Sequence, residues 1–94
     1  MPTKAREIKG AAKERDFRNA VEGVDGFSHW EKGNGSSHHI GVYKTPDGGK
    51  HRYPYAAHDG EVSIGVRASW VRFLIAIGLL CVIFTCLITQ IHVG

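Results

Sequence analysis

Apolar positions fall into three regimes along the chain. From Thr3 to Val24 the sequence is rich in Ala, Lys, Arg and Glu, and Phe17, Ala20, Val21 and Val24 recur at i, i+3, i+4 and i+7. That spacing predicts a helix with one apolar stripe. Ile8 and Ala12 do not extend the stripe, and Gly10 weakens the first half, so the opening residues are expected either to start this helix or to form a separate turn. Asp25-Gly26 ends it.

Three short extended pieces follow, Phe27 to Glu31, His38 to Thr45 and His51 to Ala56. Turn chemistry separates them: Lys-Gly-Asn-Gly-Ser-Ser in the first gap, Thr45-Pro46-Asp47-Gly48-Gly49-Lys50 in the second. Pro46 suits the second position of a turn, with Asp47 and Gly48 at the corners, which predicts an antiparallel hairpin. Asp59-Gly60 breaks the chain again before a last helix beginning near Ser63 to Val66. The order predicts an α+β domain of helix, three strands and helix.

The third regime is apolar on every side. Residues 73–89 contain eleven Leu, Ile, Val or Phe and no charge, worth about −3 to −7 kcal/mol on the membrane-insertion scale. Trp70-Val71 before and Gln90-Ile91 after extend the stretch to the length of a bilayer span. A front part of about 70 residues has little surface with which to wrap such a helix, so residues 70–91 are expected to be a transmembrane anchor. Trp70 would then sit at the interface and Arg72 would reach back to it. Arg67 and Arg72 flank the near side and only His92 follows. The positive-inside rule therefore puts the N-terminal domain in the cytoplasm, on the inner face of the cytoplasmic membrane, and the C-terminus outside.

Composition sharpens this division. The chain has 94 residues and a formal charge of +3, and every Asp, Glu, Lys and Arg precedes residue 73. A large multidomain enzyme is excluded, and the chain divides into a basic extension or start of the first helix at 1–13, a domain at 14–69 and the hydrophobic helix at 70–91. Cys81 and Cys86, five apart in the oily part, imply neither a disulfide framework nor a C-x-x-C site.

Five short motifs fall in order on the predicted elements: Gly35-Ser36-Ser37-His38-His39-Ile40, Pro46-Asp47-Gly48-Gly49, Pro54 with His58, Gly60-Glu61-Val62 with Gly65, and Ala76-Ile77-Gly78-Leu79. Together they resemble the HicA toxin family over residues 14–79. The resemblance implies an α-β-β-β-α double-stranded-RNA-binding-like fold, a place in a toxin–antitoxin system of bacterial or phage type, and cleavage of messenger RNA. It also implies a HicB-like antitoxin as partner. The family's catalytic histidine follows Gly-Ser, which here points to His38, with Gly35 before it in the RNA-binding turn.

Strand geometry leaves the alternative open. Neighbouring residues point to opposite faces, and His38 shares its face with Ile40 and Val42; if those two face the core, His39 is the exposed imidazole. Both histidines are candidates for acid–base work at a 2′-hydroxyl, with His38 first. Lys50-His51-Arg52-Tyr53 with Lys32 and Lys44 form a basic strip suited to a phosphate backbone, and Lys44, Lys50 and Arg52 are the expected RNA contacts.

The remaining constellations suggest less. His29, His38, His39 and His58 lack the spacing of a zinc site, so neither a metal nor a cofactor is expected. Ser36 and Ser37 form no triad, since no carboxylate is evidently placed to orient a histidine ring. A reading from another class competes with the toxin: a small membrane-anchored phage or prophage interaction protein that uses a HicA-like fold to dock a host membrane-associated protein, without chemistry.

Overall fold

The computed structural model describes residues 3–33 and 38–80. Its element order is α1 (Thr3–Gly10), α2 (Glu14–Glu22), β1 (Phe27–Lys32), β2 (His38–Lys44), β3 (Lys50–Ala56) and α3 (Ile64–Ala76). The chain is a small α+β domain whose three strands form one antiparallel sheet in the order β1-β2-β3.

The helices form where the apolar spacing requires. Phe17 and Val21 are the buried residues of α2, and Val24 is buried just beyond its end. The opening residues are separate from α2, but they form an eight-residue helix, α1, and not the expected turn; Ala11–Lys13 join it to α2. Its Ile8 is fully buried and the following Ala11 nearly so, which ties this segment to the core. Ser63 caps α3, its hydroxyl accepting from the Val66 amide at 3.2 Å.

The hairpin forms at the predicted turn, with Lys44 opposite Lys50 and His38 opposite Ala56. Asp47 accepts from the Gly49 amide at 2.9 Å and from the Thr45 hydroxyl, and Gly48 supplies the positive φ of 89°.

One face of the sheet carries the helices. Tyr43 on β2 donates to the Val21 carbonyl of α2 at 2.7 Å, and Tyr55 on β3 packs edge-on to Phe17 at 5.3 Å. α3 lies against the same face through Trp70, which is fully buried among Phe17, Trp30, Tyr43, Tyr53, Tyr55 and Phe73. The Trp70 indole N–H donates to the Pro54 carbonyl at 2.9 Å, so the one polar atom of the ring is satisfied inside the core.

Residues 70–80 thus differ from the expectation of a single membrane-crossing helix running from 70 to 91. Trp70, Val71, Leu74 and Leu80 are core residues, and α3 stops at Ala76. Gly78 turns the chain with φ 83°, and the amides of Leu79 and Leu80 fold back onto the Leu74 carbonyl at 2.9 and 3.1 Å. The sheet and α1 cover the side of α3 that bears Trp70, Val71 and Leu74, while Ile64 and Arg72 stay exposed. The division at residue 69 falls inside α3. Among the described residues no helix is long and apolar enough to cross a membrane. The rest of the expected anchor, residues 81–91, with Cys81 and Cys86, lies outside the described residues, as does Gly35.

Candidate nucleic-acid interface

The pleat of β2 separates the two candidate histidines. Gly41 and Tyr43 turn toward the helices: a β-carbon at position 41 would meet the Trp70 ring, and Tyr43 is bonded to α2. His39, two residues before Gly41, shares that side and stacks on Tyr55, its cross-strand partner, with centroids 5.2 Å apart and 29° between the planes. His38, Ile40, Val42 and Lys44 belong to the opposite face, which carries no helix. The condition that made His39 the exposed residue is reversed: Ile40 and Val42 face away from the main core, because Trp30, Tyr43, Tyr53 and Tyr55 bring more apolar surface to the other side.

Cross-strand pairing extends the helix-free face over all three strands. Val42 stands between His29 on β1 and Arg52 on β3, and Lys44 stands opposite Lys50. His38, Lys44, Lys50 and Arg52 therefore share one face, with Lys44 about 20 Å along the strand from His38. Arg52 is already engaged, its Nε donating to Glu31 Oε1 at 3.0 Å, while the other Glu31 oxygen meets His29 Nε2 at 3.1 Å. These two contacts hold the Glu31 carboxyl below the usual glutamate range, the His29 bond contributing most. Val42, between His29 and Arg52, is fully buried although it lies outside the main core.

The head of β2 is also an end of the sheet, since β1 stops at Lys32, the partner of His39, and β3 at Ala56, the partner of His38. On the α2 side of this end Tyr55 donates to Glu14 Oε2 at 2.6 Å, and the same oxygen lies 3.8 Å from His39 Nε2. Burial, and then this bond to a carboxylate, push the Tyr55 phenol upward and keep it protonated. Arg18 stands over the Trp30 ring at 4.6 Å and Trp30 donates to Glu22 at 2.6 Å, which fixes the outer face of α2 beside the cluster.

Sequence reasoning missed Glu14. It lies 25 positions before His39, and only the packing of α2 on the sheet brings the two together; its place in the first turn of a helix was the one available signal, and that suggests only a favourable dipole. His58 sits apart in the turn ahead of α3, bridged to Glu61. Among the described residues no group of His, Cys, Asp or Glu is arranged to hold a metal. Comparison with protein-family models, with curated proteins and with solved structures finds no match.

Proposed function

We propose that this chain is a HicA-like, RNA-directed domain that grips phosphates on the helix-free face of its sheet and cleaves RNA at the head of β2. The observation that carries the reading is the alignment of His38 with Arg52, Lys50 and Lys44 on one uncovered face, at the end of which His39 presents a second imidazole to the other side. A single strand crossing that face and passing round the end of the sheet meets cations first and imidazoles last. The run α2, β1, β2, β3, α3, preceded here by the additional helix α1, and the Gly-Ser-Ser-His-His sequence leading into β2 support the resemblance to HicA toxins. The net charge of +3 favours an anionic partner.

The test is binding and cleavage of a labelled single-stranded RNA by the full chain across a salt series, with the 2′-deoxy strand as control. RNA is expected to be bound and cut, and the 2′-deoxy strand bound but left intact. Lys44→Ala and Lys50→Ala should each weaken binding and flatten the dependence of log K on log salt by about 0.7 per lost phosphate contact. The double variant His38→Ala/His39→Ala should bind without cutting. Failure of the full chain to retain RNA at low salt sinks the proposal.

A further inference from the structure

The cluster at the α2 side of the sheet end joins three elements that are far apart in sequence. Glu14 opens α2, and its backbone is tied down by its amide, which donates to the Gly60 carbonyl at 2.9 Å, and by the bridge between Lys13 and Glu61. Tyr55 comes from β3 and His39 from β2, and their stacked rings meet at one Glu14 oxygen. His39 is thus held on one ring face by a phenol and at Nε2 by a carboxylate. Its side chain is 28% exposed and that of Glu14 30%, so both are reachable from solvent.

We infer that Glu14 is the positioning residue of an acid–base site centred on His39, with RNA as its substrate; the inference rests on the RNA-cleaving reading above. The separation of 3.8 Å is an ion-pair distance, and a small side-chain adjustment makes it a hydrogen bond, as acid–base contacts tighten when substrate arrives. With Nε2–H directed at the carboxylate, Nδ1 carries the free lone pair. Nδ1 takes the proton of a 2′-hydroxyl, and the 2′-oxygen bonds to the adjacent phosphorus. The bond from phosphorus to the 5′-oxygen breaks, that oxygen takes a proton from water, and the hydroxide left behind takes the proton from His39 Nδ1, which restores the base. The products are a 2′,3′-cyclic phosphate and a 5′-hydroxyl. Glu14 orients the ring and stabilises the imidazolium formed in the first step.

The other histidine–carboxylate pair, His29 with Glu31, suits this task less well. Its carboxylate is already paired with Arg52.

The experiment compares kcat and KM of the full chain, Glu14→Gln and His39→Ala on one single-stranded RNA, with ¹⁵N NMR of the histidine rings in the free proteins. His39→Ala should lose cleavage. Glu14→Gln should lower kcat by about tenfold or more with KM nearly unchanged, because a positioned base acts on the transition state. In the parent chain the neutral His39 ring should carry its proton on Nε2, and Glu14→Gln should erase that bias, which a purely structural glutamate would not. Should Glu14→Gln fail to fold, Glu14→Asp keeps the charge but withdraws it by one methylene, and its kcat should also fall. Undiminished kcat in the folded Glu14 variant, or cleavage that survives His39→Ala, overturns the inference and leaves the RNA-cleaving reading standing. Absence of cleavage by the full chain overturns both.

Discussion

Gly41 and Trp70 meet so closely that a β-carbon at position 41 would stand 2.6 Å from Cη2 of the indole, with Trp30 Cζ3 at 3.2 Å on the other side. Trp70 is wholly buried and hydrogen-bonded to Pro54, so its ring has little room to retreat. Gly41→Ala should therefore destabilise the fold by about 1–3 kcal/mol through overpacking, read as a lower urea midpoint. An unchanged midpoint would mean that α3 does not seat its indole against the central strand.

The same contact makes a prediction about chain length. A chain ending after Leu80 retains every core residue among the described residues and should keep its far-ultraviolet circular dichroism and its cooperative unfolding. A chain ending after Ser69 loses Trp70, Val71 and Leu74 and should not fold, since removing one buried tryptophan side chain alone costs about 3–5 kcal/mol. Fractionation of the chain ending after Leu80 beside the full chain then asks whether residues 81–94 hold the protein to a membrane. Retention of the fold without residues 70–80 would show that α3 is an appendage.

Most of the architecture could be read from local pattern. The stripe of Phe17, Val21 and Val24 marked α2, Pro46-Asp47-Gly48 marked the hairpin, and Ser63 marked the start of α3, because each depends on neighbours within a few positions. The face of the sheet was not legible. Alternation along β2 offers His39, Gly41 and Tyr43 on one side and His38, Ile40 and Val42 on the other, and the choice between them is made by Trp70, about 30 positions away. The same limit explains the reading of residues 70–80 as lipid-facing: a helix that is apolar all round looks alike whether lipid or an aromatic core surrounds it. Glu14 escaped notice for a related reason, since a carboxylate in the first turn of a helix says nothing of the strand on which that turn lands.

Acid should loosen the fold at two exposed carboxylates. Glu31 is held below its ordinary value of 4.5 by His29 and Arg52, and Asp47 below 3.8 by the Thr45 hydroxyl and the Gly49 amide. A carboxylate whose folded value is depressed contributes its full stabilisation above the unfolded value, and that contribution drains away as pH falls through the folded one. The stability difference between the parent chain and Glu31→Gln should thus be constant near neutrality and shrink below about pH 4.5, and Asp47→Asn should behave likewise at slightly lower pH. Thermal unfolding at a series of pH values measures both; a difference that persists undiminished to pH well below the folded value would show that the Glu31 carboxylate is not paired.

The pairing of Glu31 with Arg52 bears directly on the proposed RNA binding. At 3.0 Å the carboxylate occupies the guanidinium that the proposed interface needs, and its other oxygen holds His29 at 3.1 Å. A phosphate arriving at this face competes with a side chain already in place. Replacing Glu31 with Gln removes that competitor and raises the formal charge from +3 to +4. Glu31→Gln should therefore bind single-stranded RNA more tightly than the parent chain, with a log K against log salt slope steeper by about 0.7 for one added phosphate contact. Arg52→Gln should move affinity and slope the opposite way only modestly, since its cation is partly spent on Glu31 in the free protein. Measured by fluorescence anisotropy over a salt series, an affinity for Glu31→Gln equal to or weaker than that of the parent chain would exclude the helix-free face as the path of the RNA, while leaving the His39 cluster on the opposite side to be judged by its own variants.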